Sequence, residues 1–306
     1  MGIVVLAYQE IGFVCLEALL EMGAPVDLLL THQDDPGEEI WFRSPAALAR
    51  RAGVPLLTPL DPNAPDVVET VKKIRPDFIL SFYYRDLLSE DFLSLAGRGA
   101  YNLHGSLLPQ YRGRAPINWA ILKGEVKTGL TLHRMVRRPD AGPIVAQAEV
   151  EISESDTVRD VYARIVPEAG KLTREIWPRL QAGAVVEVPQ DESRASYFGR
   201  RRPEDGRISW NSPAKQIHDL VRAVTRPYPG AFCFHKGRKL YIWSGSYDNE
   251  AGASARPGTV LETVRGRGPA VAAGRGLFFI RDASLENGPW PADRPEGGLA
   301  PGDILA

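Results

Sequence analysis

The chain is poor in cysteine and has no long apolar run, and each shortage excludes a class of protein. Its 306 residues contain two cysteines, Cys15 and Cys233, both in apolar surroundings. Two such distant thiols argue against a disulfide framework or a cysteine-based metal cluster, and we expect both to be buried. No apolar run approaches the ~20 residues that a membrane-spanning helix needs.

Net charge is also nearly absent. The 37 Lys and Arg residues almost balance 38 Asp and Glu residues, which leaves a formal net charge of -1. The molecule as a whole therefore has no strong attraction for nucleic acid or anionic lipid. The first residues lack the basic segment and cleavage site of a secretory signal. We expect a cytoplasmic protein with neither a nucleic-acid partner nor a membrane partner.

The first positive feature of the sequence is an α/β pattern near its start. Short β-branched runs over residues 3–7 and 26–30 flank a segment with apolar residues at helical spacing, which ends at Gly23. This βαβ opening predicts a right-handed crossover and a mostly parallel sheet. Its first turn, residues 7–12, lacks the glycines that let a backbone approach a pyrophosphate, which argues against a dinucleotide site there.

The rest of the chain predicts a second, smaller domain. We expect a strand over 78–83, a central strand over 100–108, paired strands over 128–136 and 144–152, and a long helix over 157–180. After Gly183, short runs punctuated by Gly and Pro surround one helix over 213–224, which is typical of a small β-rich domain or barrel. We assign residues 1–203 to a catalytic α/β domain and 204–306 to a small C-terminal domain, with a linker at about 184–206.

Polar residues at the end of the central strand are the candidate site. Asn102 and His104 are two apart, so on a strand their side chains point to one face. An imidazole titrates near neutral pH and can accept a proton, while an amide can donate to a developing oxyanion. Asp140, in a Gly-flanked loop, is the candidate carboxylate that orients the ring and favours its protonated form.

Four motifs carry a resemblance to a known family. They are residues 102–109 (NLHGSLLP), 111–116 (YRGRAP), 128–133 (TGLTLH) and 140–142 (DAG). Together they resemble the formyltransferases that use 10-formyltetrahydrofolate, a pattern shared with methionyl-tRNA formyltransferases. Residues 81–85, 111–119, 132–136 and 198–201 are more similar to the sugar branch, the formyltransferase portion of bifunctional polymyxin-resistance proteins. Those enzymes formylate UDP-4-amino-4-deoxy-L-arabinose for lipid A modification.

The resemblance implies a Rossmann-like mostly parallel sheet, a small C-terminal OB-like β-barrel and a metal-free formyltransferase without the dehydrogenase domain of the bifunctional proteins. It implies that His104 is the base, that Asn102 donates to the oxyanion and that Asp140 raises the pKa of His104. It also implies a binding set for the folate cosubstrate: Asp86, Leu87, Leu88, Arg114, Val136, Arg137, Arg138, Pro139 and Asp140.

Several alternatives stay open. A methionyl-tRNA formyltransferase needs a basic face, but residues 204–306 hold 13 Lys and Arg against 11 Asp and Glu, a net of +2. A hydrolase that transfers the formyl group to water, a non-catalytic ligand-binding module and an enzyme for another nucleotide-linked amino sugar are the other candidates. The arginines at 200–202 suit either nucleotide phosphates or solvent. His32, His133, His218 and His235 lack metal-ligand spacing and are interpreted as surface or structural residues.

Overall fold

A computed structural model describes residues 2–37, 39–252, 255–286, 288–289 and 298–306. The chain forms two compact units. The first, here called the sheet unit, comprises Met1–Pro116, Lys127–Glu151 and Tyr162–Gly199. The second, the barrel unit, comprises Ile117–Val126, Ile152–Val161 and Arg200–Ala306.

Among the described residues before position 200, nine strands and six α-helices are formed. The strands are β1 (Ile3–Ala7), β2 (Val26–Leu30), β3 (Leu56–Leu57), β4 (Phe78–Phe82), β5 (Gly99–His104), β6 (Arg112–Gly113), β7 (Lys127–Arg134), β8 (Ile144–Glu151) and β9 (Tyr197–Phe198). The helices are α1 (Gln9–Glu21), α2 (Pro45–Arg51), α3 (Pro65–Ile74), α4 (Glu90–Leu93), α5 (Pro116–Leu122) and α6 (Val158–Gln181).

The main sheet has the strand order β3-β2-β1-β4-β5-β7-β8. The first five strands of this order are parallel, while β7 pairs antiparallel with both β5 and β8. Every residue of β1 and β4 is buried. Parallel strands covered on both faces have to be apolar throughout, which explains the continuous apolar runs in the sequence. The prediction of a mostly parallel α/β sheet is confirmed.

The central strand is shorter than predicted. The sequence suggested residues 100–108, but β5 ends at His104. Beyond it, the Leu108 N–H donates to the Thr131 hydroxyl (3.0 Å) and the Ser106 hydroxyl donates to the Gln110 carbonyl (2.7 Å). These bonds to side chains replace the strand ladder, so the loop begins at Gly105.

The barrel unit is built on one antiparallel sheet and one main helix. Its main elements after residue 200 are α7 (Ala214–Val224), β10 (Ala231–His235), β11 (Arg238–Asp248), β12 (Val260–Val264), β13 (Gly268–Ala272), β14 (Leu277–Leu285) and β15 (Gly288–Pro289). The strand order is β10-β11-β14-β13-β12, with β15 on β14.

The end of the chain closes this sheet. Ala306 exchanges backbone hydrogen bonds with Phe234 of β10, and Asp303 accepts one from Val260 of β12. Both sheet edges are therefore paired through one segment, as in a barrel. The predicted fold class, a Rossmann-like sheet with a small C-terminal β-barrel, is confirmed. The sequence missed β13, whose residues GPAVA favour a turn or helix as much as a strand.

Both cysteines are buried and free, as expected. Burial raises the pKa of the Cys15 thiol to about 12 and has the same effect on Cys233. Within the described ranges, no helix combines the length and apolar character needed to cross a membrane.

Candidate active site

The end of β5 presents two polar side chains on one face of the sheet. Asn102 is half-buried and His104 is buried, with 7% of its surface exposed. Leu103 between them is also buried, and it occupies the opposite face because side chains alternate along a strand. The geometry brings the predicted amide and imidazole together at the start of the loop.

The antiparallel partner β7 adds a second imidazole. His133 lies directly opposite Asn102 in the strand register, and its Nε2 is 3.2 Å from the Asn102 Nδ2. The His133 Nδ1 is 2.9 Å from the Arg134 carbonyl oxygen, which can only accept, so we assign the proton to Nδ1. In the neutral ring Nε2 then accepts from the Asn102 amide. That amide keeps its second N–H for another acceptor.

A backbone carbonyl fixes the tautomer of His104. Its Nε2 lies 2.8 Å from the Tyr111 carbonyl oxygen, so Nε2 carries the proton of the neutral ring. The lone pair is therefore on Nδ1, which lies 3.6 Å from the Asp140 Oδ1. This distance is too long for a hydrogen bond but short enough for an ion pair once Nδ1 is protonated.

Asp140 is held on a strained loop. Its φ of 55° is in the left-handed region, and its Oδ2 accepts from the Gly113 N–H at 2.8 Å. Its Oδ1 also lies 3.6 Å from the His133 Nε2. A Cβ at Gly142 would collide with the Arg134 carbonyl, so the loop needs glycine there. One carboxylate oxygen thus faces both imidazoles.

The surroundings lower the pKa values of both His104 and Asp140. Burial lowers the pKa of His104, while the charge of Asp140 and the bond to the Tyr111 carbonyl raise it, and the net direction is down. Burial raises the pKa of Asp140, but the charge of His104, the adjacent His133 ring and the Gly113 N–H outweigh it and hold that pKa well below its usual range. The site therefore pairs a neutral imidazole with a fixed carboxylate, as a general base requires.

Side chains from the neighbouring strands anchor the loop after β5. The Thr131 hydroxyl donates to the Ser106 carbonyl at 2.6 Å and accepts from the Leu108 N–H. The Gln147 amide donates to both the Leu108 carbonyl and the Thr131 hydroxyl, each at 2.9 Å. The loop therefore has a defined conformation beside His104.

Three residues of the predicted folate set follow β4. Asp86 is exposed, with its Oδ2 3.9 Å from the His32 Nδ1, and His32 stacks on Tyr84 with ring centroids 4.1 Å apart. Leu87 is 62% exposed. Leu88 packs against the core. An apolar surface is therefore presented at the carboxyl end of a parallel strand, where α/β sheets commonly bind ligands.

The rest of that set lies on two other loops. Its members are Arg114 after β6, and Val136, Arg137, Arg138 and Pro139 after β7. Val136 is 39% exposed, and the guanidinium of Arg138 pairs with Glu192 at 2.9 Å. Asn102 is linked to Asp140 through His133, and His104 lies directly beside Asp140, whereas the folate set is distributed over three loops.

His133, which the sequence analysis interpreted as a surface or structural residue, lies in the candidate site. It is 1% exposed and contacts both Asn102 and Asp140, so it is not a surface residue. The available signal was its alternation with Thr131 on a buried strand. Its position opposite Asn102 depends on a strand register that the sequence does not reveal.

Other residues singled out in the sequence lie in the barrel unit. The Arg201 guanidinium lies over the Trp119 ring at 4.9 Å, while Arg200 and Arg202 are exposed. The His235 Nε2 is 3.0 Å from Asp303. Across the described ranges, no group of three or more His, Cys, Asp and Glu side chains is arranged to hold a metal ion.

Two family models match the chain. Residues 21–175 match the model described as formyl transferase, and residues 201–290 match the formyl transferase C-terminal domain. The first match alone covers half of the chain. The protein therefore belongs to the formyl transferase family, and it is a formyltransferase enzyme.

Solved structures share this fold at low sequence identity. An N-formyltransferase from Helicobacter canadensis, in complex with folinic acid and dTDP-3-aminofucose, is 20% identical with a TM-score of 0.72, covering 91% of this chain and 98% of its own. WlaRD, a sugar 3N-formyl transferase with dTDP and 5-N-formyl-THF, is 20% identical with a TM-score of 0.70, covering 94% and 98%. A methionyl-tRNA formyltransferase from Clostridium thermocellum is 20% identical with a TM-score of 0.57, covering 82% and 95%.

Proposed function

We propose that this formyltransferase moves the formyl group of 10-formyltetrahydrofolate to the 4-amino group of a nucleotide-linked amino sugar, specifically UDP-4-amino-4-deoxy-L-arabinose. One observation carries the reaction: the lone pair of His104 Nδ1 lies beside the Asp140 carboxylate, on the face that also presents the Asn102 amide. A base, its charge partner and an oxyanion donor are the groups that acyl transfer to an amine needs.

His104 acts as the base at Nδ1. The bound formyl donor supplies the carbon that the amine attacks and the nitrogen that leaves. His104 takes the proton that the attacking amine loses and returns it to the leaving nitrogen, so protons balance over the reaction. While the ring is protonated, Asp140 at 3.6 Å stabilises the positive charge.

Asn102 acts on the oxygen of the formyl group. As the amine attacks, negative charge develops on that oxygen, and a fixed N–H donor stabilises it. His133 engages one N–H of the Asn102 amide and so holds the amide in one orientation. The second N–H is the oxyanion donor.

The predicted folate-binding residues have side chains that complement the chemistry of a folate. Leu87 and Val136 expose apolar surface suited to flat rings. Arg114 and Arg137 are exposed cations on the adjacent loops, and a guanidinium can bind a carboxylate bidentately. We assign the folate to these residues together with Asp86, Leu88, Arg138, Pro139 and Asp140.

A sugar acceptor is supported by the structural relatives. Two of the relatives with the same fold are named as sugar or N-formyltransferases and carry dTDP or a dTDP-amino sugar. The finer assignment to UDP-4-amino-4-deoxy-L-arabinose depends on the motifs that resemble the formyltransferase portion of the bifunctional polymyxin-resistance proteins, above all residues 111–119 (YRGRAPINW). It would make the chain an enzyme of lipid A modification.

Formylation of methionyl-tRNA is the second candidate. A methionyl-tRNA formyltransferase shares the fold, with a TM-score of 0.57. The near balance of charge in residues 204–306 argues against it, because tRNA binding depends on neutralising many phosphates. We therefore rank it below the sugar acceptor.

Mass spectrometry of the acceptor tests the proposal. The purified protein is incubated with 10-formyltetrahydrofolate and, separately, with UDP-amino sugars, dTDP-amino sugars and charged initiator tRNA. We expect one formyl group on UDP-4-amino-4-deoxy-L-arabinose. Formylation of a dTDP-sugar instead would correct the acceptor, while formylation of tRNA would overturn the sugar assignment. Loss of the formyl group to water without an acceptor product would indicate a hydrolase.

A further inference from the structure

Residues 187–198, here called the clamp segment, return to the active site after α6. Gln190 in this segment donates both amide N–H groups to the loop of Asp140: one to the Asp140 carbonyl and one to the Gly142 carbonyl, each at 2.7 Å. Its Oε1 accepts from the Arg112 guanidinium at 2.8 and 3.2 Å. One amide side chain therefore joins the clamp segment, the Asp140 loop and β6.

Arg112 is buried in spite of its charge, with 1% of its surface exposed. It also pairs with Glu192 of the clamp segment at 2.6 and 3.1 Å, so its guanidinium is well satisfied. Burying a guanidinium is costly unless it is paired in this way. The hydrogen bonds from Arg112 to the Gln190 Oε1 therefore hold the Gln190 side chain in position.

The neighbours of Arg112 in the chain are the groups that contact the candidate catalytic residues. The Tyr111 carbonyl binds the His104 Nε2, and the Gly113 N–H binds the Asp140 carboxylate. Arg112 and Gln190 thus link the two loops whose relative position sets the separation between His104 and Asp140.

These loops need external support because their backbone is strained. Tyr111 and Asp140 have φ values of 58° and 55°. Each such residue costs on the order of 1–3 kcal/mol, and it persists only where the surroundings fix it. The Tyr111 N–H donates to the Ser196 hydroxyl at 2.9 Å, and Gln190 provides the matching bonds at Asp140.

We propose that Gln190, held by Arg112, is a positioning residue that keeps the Asp140 carboxylate beside the His104 Nδ1. It does not touch the reacting atoms. It acts by fixing the backbone on both sides of Asp140, so its loss lets that carboxylate move away from the ring. The activity part of this inference depends on the proposed function, but the position of Asp140 does not.

The test is Gln190→Met, which keeps the side-chain length and removes both N–H donors without adding charge. We expect kcat for formyl transfer to fall roughly 10- to 100-fold, as a displacement near 1 Å can cause. The groups that titrate against His104 are Asp140 and His133. Because Asp140 raises the pKa of His104, we expect that pKa to fall in the variant.

The pKa is followed by NMR titration of ¹⁵N-labelled histidines in the free protein. This readout needs neither folate nor acceptor, so it remains informative if the proposed function fails. Gln147→Met is the matched control, because Gln147 also donates two N–H bonds beside His104 but anchors the loop of Leu108 rather than that of Asp140. We expect the pKa of His104 to be unchanged in the control.

An unchanged His104 pKa in a folded Gln190→Met protein would overturn the proposal, whatever the rate. A lower kcat with an unshifted titration would mean that Gln190 is merely structural. If thermal unfolding shows that the methionine variant does not fold at the assay temperature, Gln190→Asn replaces it. The asparagine amide is too short to reach both carbonyls, so we again expect the pKa of His104 to fall, but by less than in Gln190→Met.

Discussion

The sheet unit and the barrel unit each bury a carboxylate beside a basic side chain, and the two pairs are built differently. In the barrel unit, the Asp219 Oδ1 is 2.8 and 2.9 Å from two nitrogens of Arg222, and its Oδ2 is 2.7 Å from the Lys215 Nζ. Arg222 also donates to the Asp156 carbonyl at 3.0 Å. In the sheet unit, the Asp140 Oδ1 stands 3.6 Å from His104.

This difference separates a structural pair from one that can react. A buried pair with ideal contacts keeps both charges permanently, because losing one leaves the other unsolvated. A carboxylate held slightly apart from a neutral imidazole leaves the Nδ1 lone pair available to accept a proton. The contact between Asp140 and His104 is therefore weaker than the contacts of Asp219, and the backbone at Asp140 is also strained.

The largest effect is expected where the sheet-unit pair loses His104, the proposed base. His104→Ala should lower kcat by roughly 10²- to 10⁴-fold, since it removes the proposed proton acceptor. Steady-state kinetics measure this. His235→Ala is the control, because His235 pairs with Asp303 in the barrel unit and should leave kcat near the wild-type value. Nearly normal turnover by the His104 variant would refute the role assigned to it.

The next effect is on stability and concerns the structural pair. Asp219→Ala leaves Arg222 buried without its carboxylate, and we expect a loss of about 3–5 kcal/mol in the free energy of unfolding. Denaturant titration measures this loss. The activity per folded molecule should be retained. A loss below 1 kcal/mol would show that the remaining carbonyl contacts are enough to satisfy Arg222.

The third prediction concerns pH. Asp140→Asn should lower kcat by roughly 10²-fold, because a charge that stabilises the transition state is lost. The proposed base is active when neutral, so we expect the rate to fall as the pH drops below the pKa of His104. Burial lowers that pKa and Asp140 opposes the shift. Removing the charge should therefore move the acidic limb of the pH–rate profile to lower pH, and an unmoved limb would contradict the pairing.

The contrast between the two units also marks what the sequence could predict. The two-residue spacing of Asn102 and His104 was enough to place both on one face of β5, because side-chain alternation is a local property. The βαβ pattern was likewise enough for the sheet. His133 and Gln190 escaped prediction because their roles depend on the register of β7 and on a segment that returns to Arg112 from 78 positions away. Such long-range pairings leave no local pattern.

The smallest expected effect tests whether burial or contact distance determines the strength of an ion pair. The Lys127 Nζ lies 2.7 Å from Glu149, the same distance that separates Lys215 from Asp219. The Lys127 and Glu149 side chains are each 54% exposed, whereas that of Asp219 is 5% exposed. Exposed pairs contribute about 0–1 kcal/mol, because water screens the charges and competes for the donors. Lys127→Ala should therefore change the free energy of unfolding by less than about 1 kcal/mol in the denaturant titration used for Asp219→Ala. A double-mutant cycle with Glu149→Ala isolates the pair itself, and a coupling as large as the loss at Asp219 would show that contact distance, rather than burial, determines the strength of the ion pairs in this protein.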